Sequence, residues 1–312
     1  MMAEVLVAIR IVHFASAMAA FGIGAFRVYA FAGAASAADT PARTALDAQL
    51  ARLMTPAAIL ALLSALAIVP CVAAEMAGSA AAAFDPATAS AVMFGTEFGH
   101  AWCWHVGFGV ALVVLCVMPR RRWQSGAATL AALLLLASLG WVGHAAMDMG
   151  GGTSHEINQM AHLTAGGLWL GGLVPLGILL RRAVRPDGAA YIPLARIALP
   201  HFSQIGYAAV TLLALTGTVN GVMLVGSFRA LVETPYGRLL MLKIVLFLAM
   251  VGMAFVNRFR LVPRLAGPGA AIAPLRTLYR SVLAEQALGL AILAVVAVLG
   301  TWPPAIGDMA MR

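Results

Sequence analysis

Eight apolar runs of roughly twenty residues, at 5–31, 53–74, 98–118, 126–146, 157–180, 202–225, 239–256 and 278–300, set the limits on what this chain can become. A helix rises about 1.5 Å per residue, so about 20 apolar residues cover the hydrocarbon core of a bilayer. With 62% apolar and 10% charged residues and a mean hydropathy of +0.93, the chain lies outside the range of soluble globular proteins. The runs are continuous and show no ten-residue alternation, which selects helices over membrane strands. The expected fold class is therefore all-α, a polytopic membrane protein of eight transmembrane helices. Ala-Ser-Ala at 35–37 resembles a signal-peptide cleavage site, but the run before it is too long for an h-region. It also carries Arg10, His13 and Arg27 and has no basic segment ahead of it, so it is expected to stay as the first helix.

Arginines gather in alternate loops: Arg43 and Arg52, then Arg120, Arg121 and Arg122, then Arg181, Arg182, Arg185 and Arg196, then Arg258, Arg260, Arg264 and Arg276. The positive-inside rule makes those loops cytoplasmic. The intervening loops hold Glu75, Asp85, Asp148, Glu156 and Glu233, so both termini are expected on the outer, periplasmic side. The net charge of +8 is then inner-leaflet anchoring rather than a sign of nucleic-acid binding, and the acidic outer rim would concentrate cations. No phosphate-binding Gly-rich loop is present, so nucleotide hydrolysis is not expected and the chain does not read as an enzyme. Cys71, Cys103 and Cys116 show no C-x-x-C spacing and are read as small buried residues, with Cys103 set apart by its closeness to His100.

The histidines are distributed unevenly. On this topology His13, His100, His105, His144, His155 and His162 fall in the outer leaflet, and His201 does not. Ionisable side chains are expensive in hydrocarbon and usually face a protein interior, a ligand or an ion path. His155, Gln159 and His162 share one helical face, with His162 about 10 Å deeper than His155. His144, Met147 and Met149 end the fourth helix ahead of the 150–152 glycines, and Met160 follows. Thioether sulfur favours Cu(I) and imidazole accepts either copper state or zinc, so the mixture points to copper ahead of zinc, iron or magnesium. Each residue also has a plainer reading. Met160 is packing; Met147 and Met149 are either ligands or filler; a buried histidine often serves only to bond two helices. His100 and His105 lie about 140° apart on a helical wheel, so one helix cannot aim both at one centre.

The chain also reads as a duplication of halves 1–152 and 153–312. Thr96-Glu97-Phe98-Gly99-His100 with His105 is matched by Thr234-Pro235-Tyr236-Gly237-Arg238 with Lys243; Arg10-Ile11-Val12-His13 with Gly22 is matched by Gln159-Met160-Ala161-His162 with Gly171. Both pairs keep their direction across the membrane, giving a parallel four-plus-four repeat of the kind common in transporters. Arg238 and Lys243 replace histidines in this scheme. They either snorkel or pair with Glu233, or they set the field of an outer vestibule. Glu285, inside the eighth helix, is expected either to find a cation or hydrogen-bond donor or to stay protonated, and is read either as a tie between helices or as a transport or coupling group.

Gly-Gly-Leu-Trp-Leu-Gly-Gly-Leu-Val-Pro-Leu (166–176) after His162, Thr-Pro-Tyr-Gly-Arg-Leu-Leu-Met-Leu-Lys (234–243), Asn257-Arg258-Phe259-Arg260 and Leu-Gly-Thr-Trp-Pro-Pro-Ala (299–305) resemble the copper-resistance protein D (CopD/PcoD) family. The resemblance is clearest from 144 to 305. It implies an eight-helix, multi-pass protein of the bacterial inner membrane that handles copper ions in uptake or homeostasis, often beside a periplasmic copper-binding (CopC-like) partner; no such partner is expected to be fused to this chain. The family's histidines carry over onto His13, His162 and His144, while the Met147 and Met149 cluster looks less general. The expected site is His144, His155, His162, His13, Met147, Met149, His100 and His105. Two other readings remain: a b-type haem protein with His13 and His162 as axial ligands, and a non-transporting copper scaffold that docks a periplasmic chaperone.

The orientation has a direct test. In a background lacking the three native cysteines, Ser79→Cys should react with a membrane-impermeant thiol reagent added to spheroplasts, and Asp187→Cys should react only after permeabilisation. The reverse pattern would invert the topology.

Overall fold

The computed structural model describes residues 2–33, 40–119, 121, 123–142, 152–265 and 272–306. Eight helices in it are long and apolar enough to cross a bilayer: Met2–Tyr29, Pro41–Met76, Glu97–Val117, Gln124–Trp141, Gly152–Ala183, Ala189–Val225, Pro235–Leu265 and Ile272–Leu299, here called spans one to eight. No strand occurs among the described residues. Each span overlaps one of the apolar runs, so the number and order of crossings agree with the sequence reading.

The boundaries differ where helix continues beyond apolar sequence. Span two begins at Pro41 rather than near 53, because Thr40 caps it by accepting from Arg43 N and Pro41 occupies the first turn. Its added turns bury Ala42, Leu46 and Leu50 at helical spacing. Asp47 on these turns takes a two-pronged bond from Arg27 at 2.7 and 3.0 Å, which ties span one to span two at the arginine-rich end. Span six likewise starts well before 202, burying Leu194, Ala195, Ala198 and Leu199. Two short helices that the apolar pattern does not signal, Pro86–Gly95 and Phe228–Glu233, precede spans three and seven.

Span one is the central element. It packs on spans two, four, five and eight, and its middle turns, from Ala17 to Phe26, are almost wholly buried. Span five crosses it where two glycines meet: a Cβ on Gly22 would overlap the Gly171 backbone, and one on Gly171 would overlap the Met18 carbonyl. In lipid no hydrophobic force drives helices together, so close backbone approach over small residues is what holds such a crossing. Gly171 closes a π turn, Gly167–Gly171, inside span five. At the other end of the bundle Arg10 Nη1 donates to Gly300 O at 2.9 Å, bringing the start of span one to the end of span eight as an even number of crossings requires.

Positions matched between the two halves make matching bonds. Thr96 Oγ1 accepts from Gly99 N at 3.0 Å and donates to Val92 O at 2.7 Å. Thr234 Oγ1 accepts from Gly237 N at 3.0 Å and donates to Ala230 O at 2.6 Å. His100 Nε2 bonds Phe94 O at 3.1 Å, and Arg238 Nε, in its place, bonds Val232 O at 3.0 Å.

The crossing of spans one and five yields a stability prediction. Gly22→Ala forces a methyl into the Gly171 backbone and should destabilise the protein by about 1–3 kcal/mol, as overpacking does. Gly252→Ala, at a helical glycine with no neighbour within 4 Å of an added Cβ, is the control. Thermal unfolding in detergent should drop for the first and hold for the second; equal melting would remove the crossing as the tight contact.

Candidate metal site

The deepest histidines of the first half face each other. His13 on span one and His105 on span three are both fully buried, and their Nε2 atoms lie 3.0 Å apart. The rings are tilted at 60° with centroids 5.0 Å apart. Trp102, one turn before His105, stacks on its ring at 4.5 Å and 23°. Trp102 is itself stacked on Phe98 and held by a bond from its Nε1 to Ala65 O at 3.1 Å. An indole face beside an imidazole that carries or shares a positive charge is favourable.

The protonation of each ring follows from its other nitrogen. His13 Nδ1 lies 3.1 Å from Ala61 O, which only accepts, so this nitrogen bears the proton. It also reaches Ser64 Oγ at 3.0 Å, whose own hydrogen goes to Leu60 O at 2.6 Å. His105 Nδ1 donates to Ser138 Oγ at 2.8 Å, whose hydrogen goes to Leu135 O at 2.8 Å. Both Nδ1 atoms are therefore donors, and both Nε2 atoms turn lone pairs toward one point. Two lone pairs cannot sit 3.0 Å apart in a dry interior with nothing between them: a proton or a cation must bridge them. Metal-bound histidines are normally oriented this way, by a second-sphere bond at the opposite nitrogen. Two bonds of about 2.0 Å to one ion need a somewhat wider gap, so an ion would push the rings apart from their present closed pairing.

The second half has one such imidazole and lacks its partner. His162 Nδ1 donates to Thr216 Oγ1 at 2.8 Å, and the Thr216 hydroxyl back-bonds to Leu212 O at 2.5 Å, as Ser64 does in span two. The position matched to His105 is Lys243, close enough to act electrostatically on His162. The rest of the span-five face is hydrogen-bonded to span six. Asn220 accepts from Asn158 Nδ2 at 2.8 Å and from His155 Nε2 at 3.2 Å, and donates to Gln159 Oε1 at 2.9 Å. His155, Gln159 and His162 thus do share one face, turned to span six.

The candidate residues therefore separate. His13 and His105 meet; His155 and His162 lie apart from them on the span-five face; His100 is exposed and bonded to a carbonyl of the short helix before its span. Among the described residues no three His, Cys, Asp or Glu side chains converge on one point. His144, Met147 and Met149 lie outside the described residues. Because His13 turns its Nε2 to His105 and its Nδ1 to span two, the geometry does not present His13 and His162 as two axial ligands of one haem. Arg238 does not pair with Glu233, which takes Arg229 at 2.8 Å instead; Arg238 caps a carbonyl. Glu285, 2% exposed, accepts from Asn257 Nδ2. Cys103 is exposed, and His201, away from all of these, bonds Ala30 O at 3.0 Å. Between spans two and three Asp85 caps the 86–95 helix, and bonds from the Thr88 hydroxyl and the Thr88 and Ala87 amides hold its carboxyl below the usual carboxylate range.

Sequence reasoning missed Ser64, Ser138 and Trp102. A signal existed: single hydroxyls in otherwise apolar spans, and an aromatic three residues before a buried histidine. What it could not supply was the pairing between helices.

Comparison with known proteins places the chain among copper-resistance membrane proteins. Residues 1–154 match the family described as "Copper resistance protein D-like, N-terminal domain", and residues 196–299 match "Copper resistance protein D". The chain is 30% identical over 307 residues to "Inner membrane protein YebZ" of Escherichia coli (strain K12), covering 97% of this chain and 100% of that one. It is 29% identical over 307 residues to "Copper resistance protein D" of Pseudomonas syringae pv. tomato, covering 96% of each. It is also 29% identical over 233 residues to "Copper transport protein CutJ" of Bacillus subtilis (strain 168), covering 72% of this chain and 40% of that one. No solved structure matches it. With eight apolar spans, family matches over both halves and likeness along nearly the whole chain to the first two of these proteins, the chain belongs to the copper resistance protein D family.

Proposed function

We propose that the protein moves copper across the bacterial inner membrane, with His13 and His105 as its ion-binding station. The observation that carries this is the pair of opposed Nε2 lone pairs, each oriented by a serine hydroxyl, in a fully buried setting. Two nitrogen donors are too few for zinc, which takes four ligands, or for Cu(II), which prefers a tetragonal set. The donor set suits Cu(I). The names of the relatives support the assignment: one is a copper transport protein and another an inner membrane protein. His144, Met147 and Met149 then act as an outer capture site of soft donors, fed by a periplasmic copper-binding protein. His100 sits near the outer end of span three on the same route.

The two halves divide the work in this reading. They descend from one duplicated unit, and the second has given up its ion site: Lys243 in place of His105 puts a fixed cation beside His162, where a copper ion would be repelled.

Copper titration of the purified protein under reducing conditions tests the station. His13→Ala and His105→Ala should each abolish high-affinity binding, and the double variant should be no worse than either single one. Ser64→Ala and Ser138→Ala, which remove only the orienting hydroxyls, should weaken it by roughly 10–100-fold. His155→Ala and His201→Ala should leave it unchanged. Undiminished affinity in the His13 and His105 variants would defeat the assignment.

Lys243→His examines the division between halves. It rebuilds the missing imidazole opposite His162 and should add one bound Cu(I) per chain to the wild-type stoichiometry. An unchanged stoichiometry would refute the matching of His105 with Lys243.

A further inference from the structure

Glu285 places a carboxyl at the middle of a membrane helix, and among the described residues no cation bonds it. It is the fourteenth of the 28 residues of span eight, about 20 Å from either end. Its one hydrogen-bond partner among the described residues is Asn257, whose Nδ2 donates to Glu285 Oε1. Arg258 follows that asparagine, but its Nε bonds Tyr207 OH of span six at 3.3 Å. The other cations on elements packed against span eight are engaged or distant. Arg10 and Arg27 of span one bond Gly300 O and Asp47, and Arg182 of span five bonds Gln49. Lys243 of span seven lies fourteen residues before Asn257, about 21 Å along the helix. On span eight itself Tyr279 and Arg280 precede Glu285 by more than one turn, and Arg280 is exposed.

The partner has an unmet need of its own. Asn257 Oδ1 is closed off from its surroundings and accepts no bond among the described residues. An acceptor so enclosed cannot be served from outside, and leaving it empty is costly and uncommon in a folded protein. A proton on Glu285 removes the deficit. A carboxylic acid and a primary amide are complementary forks: Nδ2 donates to Oε1 while the Oε2 hydroxyl donates to Oδ1, closing a ring of two bonds. An ionised carboxylate offers acceptors only. It would leave Oδ1 empty and bring an unpaired charge into a low-dielectric interior.

We propose that Glu285 is a proton-binding site at mid-membrane, closed on Asn257 when protonated and released when ionised, and that its proton is the coupling ion of transport. The coupling rests on the copper reading above; the proton does not. A route for the proton is present. Glu285 and Asn257 line a cavity of about 170 Å³ between spans six and seven, and Arg258 lines it too, so the carboxyl opens toward the arginine-rich side. At roughly 30 Å³ for each water the cavity has room for several. The carboxyl gives its proton to such a water as hydronium, and the carboxylate left behind accepts from Asn257 Nδ2 alone. The element that responds is span seven. Gln286, next to Glu285, ties span eight to span five through Leu173 O at 2.7 Å. Asn257 instead opens the π turn Asn257–Leu261, a break in the helix ladder of a kind frequent at functional sites.

Infrared difference spectra of the copper-free full chain in nanodiscs test the proton, with Glu285→Gln as the reference. That variant keeps both bonds to Asn257 as an amide pair and cannot ionise. Subtracting it from wild type should leave the C=O band of one protonated carboxyl at mildly acidic pH, replaced by carboxylate bands as the pH rises. Asn257→Leu, which removes both bonds, should move the C=O band to higher frequency, and this holds even if Glu285→Gln fails to fold. A single form of the carboxyl at every pH where the protein stays folded would overturn the proposal, as would an unshifted band in Asn257→Leu. Coupling is read from Cu(I) uptake into proteoliposomes. In wild type an imposed difference of one pH unit should shift steady-state accumulation by about tenfold, the value for one proton per ion. Glu285→Gln should bind Cu(I) as wild type does and show no shift; a wild-type response there would overturn the coupling. Wild type that takes up no copper under any gradient would overturn the copper reading and the coupling together, and the copper-free spectra would still decide the proton.

Discussion

The backbone contact between Gly22 and Gly171 is the constraint around which the bundle is arranged. Hydrocarbon offers transmembrane helices no hydrophobic reason to associate, so their positions depend on where backbones can approach closely. With span one pressed onto span five at this point and onto spans two, four and eight around it, its middle turns are almost wholly buried. His13 lies nine residues before Gly22, about 14 Å along the helix. It is therefore held inside the protein at a depth set by the crossing, where neither lipid nor water can serve its ring nitrogens.

That enclosure gives the hydroxyls their importance. Ser64, Ser138 and Thr216 each spend their own hydrogen on a carbonyl of the preceding turn and so can only accept from the imidazole beside them. Back-bonding of this kind is ordinary for a serine or threonine in a helix. Placed against a histidine it decides which nitrogen carries the proton, and so which one is left to face a partner. In the first half the result is two lone pairs in opposition. In the second half the same hydroxyl device serves a single imidazole with a lysine nearby.

The cavity between spans six and seven follows from the opposite condition, a place where helices fail to pack. The polar ladder on span five, with Asn220 at its centre, binds span six firmly at the level of His155. Toward the other side the π turn at Asn257 displaces the helical register of span seven, and Asn257 and Glu285 are left bonding each other beside unfilled space. Ties at one level and a gap at the other give this half of the protein a different character from the closely packed region around span one.

The sequence by itself determined the number of spans, their order, the arginine-rich sides of the loops and the chemical type of the candidate ligands. Each of these depends on residue kind and spacing along one chain: a run of about 20 apolar residues has few fates other than a membrane helix. It also carried the incompatibility of His100 and His105, because the wheel angle is a property of a single helix, and the structure duly buries one and exposes the other. What only the tertiary structure decided was which histidine meets which. His13 and His105 are 92 residues apart, and nothing in either apolar span distinguishes that pairing from one between His13 and His162. The choice rests on crossing points and on hydroxyls contributed by spans two and four, through-space relations that hydropathy does not encode. The orphan oxygen of Asn257 is of the same kind, since a missing partner can be recognised only once every neighbour has been placed.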